Sequence, residues 1–195
     1  MRTAWLLQGL GFLILLIAVY FLLRENTEPQ TEIPNDMITS ANEEPMNEEN
    51  IIIRSPAFRE GSAIPSKYTC DGEDISPPLS IENIPSDTVS LALVVDDPDA
   101  PMGTWDHWVL FNISPETTKI GEGGKPQGPD GNTSWNKTGY GGPCPPDGEH
   151  RYFFKIYALD TKLGLGDGAT KEEVLEAMKG HVLSESELMG VYKRI

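Results

Sequence analysis

The sequence is poor in positive charge, and this shortage bears on the kind of partner the protein can have. Fifteen lysines and arginines stand against thirty acidic residues, which gives a formal net charge of −15 at pH 7. Nucleic-acid binding depends on clustered Lys and Arg side chains that neutralise phosphates. The composition therefore argues against a nucleic-acid partner.

Cysteine is also scarce, since the sequence contains only Cys70 and Cys144. One pair is too few for a disulfide scaffold, and neither cysteine lies in a C-x-x-C pattern, so a cysteine-based zinc site is not expected. The residues leave two interpretations open. The pair is either two buried free thiols or a disulfide in an oxidising compartment.

One long apolar run is present, from Ala4 to Leu23, with Gln8 as its single strongly polar residue. At 1.5 Å per residue it spans about 30 Å, the thickness of a bilayer core. A cleaved signal peptide is the alternative, but its apolar core is usually shorter and a small-residue cleavage site should follow it. We predict an uncleaved transmembrane signal anchor over residues 1–23. The positive-inside rule, which counts Lys and Arg, gives little information about the orientation of this anchor. We prefer a single-pass topology with the large domain outside the cytoplasm.

The segment after the anchor, residues 24–50, carries eight carboxylates against Arg24 and has no apolar periodicity. Such a segment buries too little apolar surface to offset the entropy lost on ordering. We predict an acidic, disordered linker over residues 24–50. The folded domain is predicted to cover residues 51–195.

Within this domain the patterns are mostly those of β-strands. Strands are predicted at residues 51–53, 89–95, 107–113, 150–159 and 188–192. Thr170 and Glu173 form a T-x-x-E capping box, and the helix that follows has an apolar side to about His181. Strands joined by long Gly- and Pro-rich loops, with one clear helix near the end, predict a mainly β, sandwich-type domain.

The densest group of chemically active side chains lies between two predicted strands, in residues 96–108. Four carboxylates, the His107 imidazole and two indoles occur there. Asp97, Asp99 and His107 offer metal ligands, but their spacing matches no known metal signature. A hydrolase would need Ser134 or Cys144 as a nucleophile beside His107 or His150, and no G-x-S-x-G motif is present.

A pocket for an anion is the third interpretation of the same residues. Imidazoles, a Tyr hydroxyl and backbone N–H groups of Gly-rich loops are good donors to phosphate or carboxylate. Asp97 would then fix the tautomer of an imidazole. Trp105 and Trp108 would form an apolar wall, although tryptophans in such positions more often belong to the core.

Four ordered motifs carry a family resemblance: residues 97–101 (D-P-D-A-P), 105–108 (W-D-H-W), 139–146 (G-Y-G-G-P-C-P-P) and 150–152 (H-R-Y). Together they resemble the phosphatidylethanolamine-binding protein family, in its prokaryotic Raf kinase inhibitor-like (YbhB/YbcL) branch. The segment Cys70–Leu79 is also similar to that branch. The resemblance covers about residues 51–195.

The resemblance implies a sandwich of two antiparallel sheets with a few peripheral helices and a small anion pocket at one end. It implies that the ligand, a phosphate-bearing small molecule or a phospholipid head group, is bound without catalysis, cofactor or metal. Residues carried over as ligand-binding are Asp97, Asp99, His107, Gly142, Pro143, His150 and Tyr152, and Pro101, Trp105 and Trp108 are predicted as the pocket wall.

Two other functions remain open beside this one. One is an inhibitor or regulator of a partner protein, such as a protease or a kinase. The other is a hydrolase that uses the Asp/His group. The sequence departs from the family at Asp106, where many relatives have His or a bulky aromatic residue; if Asp106 points inward, it should weaken anion binding. We also predict that Cys70 and Cys144 lie close in space.

Overall fold

The computed structural model describes residues 50–194. The predicted anchor over residues 1–23 and all but the last residue of the predicted linker lie outside this range. Within the range, no helix combines the length and the apolar character that a bilayer crossing needs.

Two β-sheets form the domain. In chain order, the strands are β1 (Ile52–Arg54), β2 (Ser62–Ala63), β3 (Leu79–Glu82), β4 (Ser90–Asp97), β5 (Trp105–Ile113), β6 (Lys119–Ile120), β7 (His150–Leu159) and β8 (Val182–Tyr192), and the helix α1 spans Lys171–Met178. The small sheet has the order β1-β3-β6, and the large sheet has the order β2-β8-β7-β4-β5. The predicted mainly β fold with few helices is confirmed. All pairs are antiparallel except β2 with β8, a short parallel pair that the resemblance did not imply.

The main core lies between the two sheets. Ile53, Leu79 and Ile81 of the small sheet belong to one buried cluster with Leu93 of β4 and Phe154 of β7. The opposite face of the large sheet is covered as well, because residues of α1 pack there in a second buried cluster. The strand β4 is therefore buried along its whole length, as its nearly continuous apolar run predicts.

Two predicted boundaries were wrong by three residues or more. The last strand begins at Val182 rather than at Leu188, because its first half pairs with β7 while Glu185 and Glu187 keep one side in solvent. The helix ends at Met178 rather than near His181, because Gly180 adopts a left-handed backbone conformation (φ 79°) that interrupts it. The capping box at Thr170 is confirmed, with both reciprocal hydrogen bonds formed.

Candidate functional site

A cavity of about 500 Å³ opens where β4 ends and β5 begins. Of the residues predicted from the sequence, it is lined by Asp97, Pro101, Trp105, His107, Gly142 and the two cysteines. Four others, Asp99, Pro143, His150 and Tyr152, lie around it without lining it, and Trp108 packs in the core against Tyr140. The structure thus brings most of the predicted residues together. One set lines the cavity, and the other set lies around it.

A β-bulge places His107 in this cavity. Val95 pairs with Trp108 and Asp96 pairs with Asp106, so His107 is an extra residue in β5 with no partner in β4. A bulge re-aims the side chains around it. As a result Asp106 points towards α1, while His107 and Trp108 both point towards the interior of the sandwich.

The His107 ring is fixed in one orientation. Its Nδ1 lies 2.7 Å from the Gly141 carbonyl oxygen, which can only accept, so Nδ1 carries the proton. The other nitrogen, Nε2, makes no hydrogen bond within residues 50–194 and is not sealed by protein atoms. Burial lowers the pKa of His107 from its ordinary value, and the charges of Asp97 and Asp96 oppose this effect only in part. The ring is therefore neutral at pH 7 and presents Nε2 to the cavity.

Asp97 orients the second buried histidine. Its Oδ2 lies 2.7 Å from Nδ1 of His150, and its Oδ1 accepts the backbone N–H of Asp99 at 2.8 Å. Both side chains are almost fully buried. A buried carboxylate in this position holds the imidazole in one tautomer.

Asp99 does not line the cavity and binds Arg151 at the protein surface. It accepts from Nε of Arg151 at 2.9 Å and from Nη2 at 2.7 Å, and the backbone N–H of Arg151 also donates to it. These hydrogen bonds lower the pKa of Asp99 to about 2. Asp99 is thus a fixed carboxylate that braces β7 at the cavity edge.

Tyr152 lies behind the His107 ring and packs against it edge to face, with the ring centroids 5.2 Å apart. Its hydroxyl is buried and has no hydrogen-bond partner among residues 50–194. Burial and the nearby charge of Asp97 raise the pKa of Tyr152, so the hydroxyl stays protonated. Buried polar groups without a partner are rare in proteins, so this hydroxyl calls for a partner such as a water or a bound ligand.

The Gly-rich loop of residues 139–146 forms one wall. The N–H of Gly141 donates to the His107 carbonyl at 2.9 Å, and the N–H of Gly142 donates to Asp74 Oδ1 at 2.6 Å. These two donors, which the sequence offered for an anion, are therefore engaged within the protein. A disulfide joins Cys70 to Cys144 with the Cα atoms 5.4 Å apart, and it ties this wall to the loop that carries Asp74.

Gly142 gives a direct test of how tightly this wall is built. A Cβ atom at Gly142 would lie 2.5 Å from the Tyr68 carbonyl oxygen and 2.8 Å from the Thr69 Cα, both of them backbone atoms. We expect Gly142→Ala to lower the free energy of unfolding by about 2 kcal/mol, as overpacking does. In Gly164→Ala the new methyl group meets open space, so urea denaturation of this control should match the wild type. Equal curves for all three proteins would show that the wall is loose.

Asp106 does not enter the cavity, so the weakening of anion binding that an inward orientation implied is not expected. It lies on the other face of the sheet, where the Lys171 ammonium pairs with it and also lies 3.5 Å from Asp96. Lys155 pairs with Asp96 as well, at 2.9 Å. Burial raises the pKa of Asp106, against the opposing charge of Lys171. Two carboxylates and two ammonium groups thus form a balanced cluster beneath the bulge.

The nucleophiles suggested for a hydrolase are engaged elsewhere. Cys144 is in the disulfide and has no free thiol. Ser134 does not line the cavity, and its hydroxyl accepts the backbone N–H of Asp106 at 2.9 Å. For the metal alternative, no group of three or more His, Cys, Asp or Glu side chains within residues 50–194 is placed to hold an ion.

Sequence reasoning missed several lining residues, above all Trp135 and Lys137. The Trp135 ring centroid lies 5.0 Å from that of His107 and 5.5 Å from that of Trp105, and the Lys137 ammonium lies 5.5 Å from the Trp135 ring. Trp135 therefore takes the place at the wall that Trp108 was predicted to share. An aromatic residue inside a long Gly-rich segment was the signal available in the sequence.

Comparisons with known proteins bear on the family and the fold of the chain. The family model for phosphatidylethanolamine-binding proteins matches residues 54–193. A UPF0098 protein from Methanothermobacter thermautotrophicus is 55% identical over 148 residues, which cover 73% of this chain and 98% of the relative. A crystal structure of a phosphatidylethanolamine-binding protein homologue from Chlamydia trachomatis is similar with a TM-score of 0.73 and 43% identity, over 75% of this chain and 99% of that one. The Escherichia coli protein YbcL gives a TM-score of 0.70 at 28% identity, with the same coverage.

Proposed function

The chain belongs to the phosphatidylethanolamine-binding protein family, and from this premise we propose that its domain binds a phosphate-bearing ligand in the cavity beside His107. The ligand is a small phosphate ester or a phospholipid head group, and it is bound without being chemically changed. The observation that carries this proposal is the unpaired Nε2 of His107, which faces a cavity walled by Trp105 and Trp135.

The charges of the cavity fit a zwitterionic head group better than a bare anion. The Lys137 ammonium stands on one side as a partner for phosphate. Asp74 also lines the cavity. Among residues 50–194 it accepts a hydrogen bond only from the Gly142 N–H, so its carboxylate is able to bind an ammonium group. Trp105 and Trp135 line the same cavity, and aromatic rings attract ammonium groups by cation–π interaction. Phosphoethanolamine carries both charges and is therefore the natural probe.

We also propose that the protein is single-pass, anchored by residues 4–23, with the domain outside the cytoplasm. The Cys70–Cys144 disulfide supports this location, because disulfides persist in oxidising compartments. As a flexible coil, the acidic linker over residues 24–50 would separate its ends by about 30 Å on average. The domain would then reach phospholipid head groups without being pressed against the membrane.

Calorimetric titration of the full chain with phosphoethanolamine tests the binding proposal. We expect binding at millimolar or tighter concentrations, and an affinity at least about tenfold lower in His107→Ala, because a hydrogen bond to a charged ligand contributes about 1.5–3 kcal/mol. His181→Ala is the matched control, since His181 is exposed and pairs with Asp160 on the surface. No heat at millimolar ligand, or equal binding by a folded His107→Ala protein, would contradict the proposal.

A second candidate function, regulation of a partner protein such as a protease or kinase, is favoured by the rim of the cavity. Met102 is 91% exposed and Trp135 is 38% exposed, and both of these apolar side chains line the cavity. Exposed apolar groups at a cavity mouth are typical of contact with a larger molecule. Met102→Gln should then abolish capture of the partner and change phosphoethanolamine binding less than His107→Ala does, whereas capture that survives it would argue against this surface.

A further inference from the structure

The cavity contains an imidazole nitrogen that, in the free protein, can only accept a hydrogen bond. We propose that each phosphate ligand is bound together with one proton, which is shared between a ligand oxygen and Nε2 of His107. The inference rests on the proposed function and specifies how the same site recognises its ligand. It makes the affinity for the ligand dependent on pH, and it predicts different pH dependences for phosphate monoesters and phosphate diesters.

The first step is the tautomer of His107. Its Nδ1 donates to the Gly141 carbonyl at 2.7 Å, and the reverse polarity is impossible because a carbonyl oxygen has no proton to give. The neutral ring consequently offers only a lone pair at Nε2. A fully ionised phosphate oxygen also offers only lone pairs, so the two atoms repel unless a proton lies between them.

The second step is the charge around the ring. On the β4 side stand Asp97, held by His150, and Asp96, which belongs to the cluster beneath the bulge. The loop of Cys70, which the disulfide ties to the Gly-rich wall, carries Asp74, and the loop of Trp135 carries Lys137. On the β7 side Tyr152 contributes an uncharged hydroxyl.

These neighbours carry more negative than positive charge, so a dianionic phosphate is unfavourable there and a proton that removes one negative charge is favoured. Burial lowers the pKa of His107, so the free ring does not already hold this proton at neutral pH. It must be acquired when the ligand binds.

The third step concerns the ligand. A phosphate monoester has a second pKa of about 6, so its monoanion brings a P–O–H group that can donate to Nε2. A phosphate diester has no such proton, and His107 itself must then be protonated. The affinity for a monoester should therefore fall as the pH rises through the second pKa of the ester, and the affinity for a diester should fall as the pH rises through the lowered pKa of His107.

Calorimetry of the full chain with phosphoethanolamine and with glycerophosphoethanolamine, a monoester and a diester, tests this. At pH 8, titration in two buffers with different enthalpies of ionisation counts the protons taken up. We expect close to one proton per ligand and a Kd that rises about tenfold per pH unit between pH 7 and pH 9. Binding of the monoester alone would place the proton on the ligand, whereas binding of both would place it on His107; each result supports the proposal.

His107→Gln separates this proposal from the proposed function. The Gln amide donates a hydrogen bond without titrating, so the variant should bind phosphoethanolamine with no proton uptake and a flat pH profile, while His181→Gln behaves like the wild type. Wild-type binding without proton uptake and with a constant Kd from pH 7 to pH 9 would overturn the proposal and leave the proposed function standing. Proton uptake that persists in His107→Gln would also overturn it, and a wild type that binds neither ester at any pH would overturn both.

Discussion

Replacing Lys171 by Met should lower the free energy of unfolding by about 3–5 kcal/mol at pH 7. Lys171 is the buried cation that pairs with Asp106 and lies 3.5 Å from Asp96. Its removal leaves the Asp106 carboxylate buried without a partner, and breaking a buried ion pair on one side costs about this much. Urea denaturation, followed by the fluorescence of the tryptophans, measures the change.

The pH dependence of this defect has a definite sign. Burial raises the pKa of Asp106 in the folded protein, and the loss of Lys171 should raise it further. The folded state then binds a proton more tightly than the unfolded state, so the defect is largest above the folded-state pKa and shrinks as the pH falls through it. The defect measured at pH 5 should therefore be smaller than that at pH 7.

Two further variants show whether charge is the cause. Lys179→Met removes a lysine from the C-cap of the same helix, where the partners Lys179 and Glu176 are each 71% exposed, and it should have almost no effect. The double variant Asp106→Asn with Lys171→Met removes both buried charges and should regain most of the lost stability. A Lys171→Met protein within about 1 kcal/mol of the wild type at pH 7 would show that the cluster tolerates an unpaired carboxylate.

Removal of the disulfide should lower the free energy of unfolding by about 4 kcal/mol. Cys70 and Cys144 are 74 residues apart, and cross-linking a loop of this length removes a large part of the freedom of the unfolded chain. The two loops would remain joined by weaker contacts, including Cys70 N–H to Pro143 O at 3.1 Å and the Tyr140 hydroxyl to Tyr68 O at 2.8 Å. Denaturation of Cys70→Ala with Cys144→Ala, compared with the oxidised wild type, measures the difference.

A reducing agent provides the control for this experiment. The sequence has no other cysteine, so dithiothreitol should destabilise the wild type to the level of the double variant and leave the double variant unchanged. The loss of the disulfide in the reduced wild type is verified first. If the denaturation curves of the oxidised and the reduced wild type are then the same, the prediction is contradicted.

Local sequence patterns were sufficient to predict most elements of this domain. The aromatic-rich run of 150–159 and the apolar run of 89–95 correspond to β7 and β4, and Thr170 with Glu173 marked the start of α1. These features depend on side-chain period and on short-range hydrogen bonds, which a single chain segment determines. The four motifs were sufficient for the family for the same reason, since each is a short run of neighbouring residues.

The arrangement of the site was decided by tertiary structure. The sequence placed Asp106, His107 and Trp108 side by side, but only the bulge opposite β4 sends Asp106 to Lys171 and His107 into the cavity. Strand pairing also decided that Trp108 joins the core and that Trp135, from a distant loop, stands against His107. A bulge depends on the register between two strands and on what packs on each face of the sheet, and neither is written in the residues of one strand. The sequence by itself thus determined which side chains the site can use, and the pairing of the strands decided which of them face the cavity.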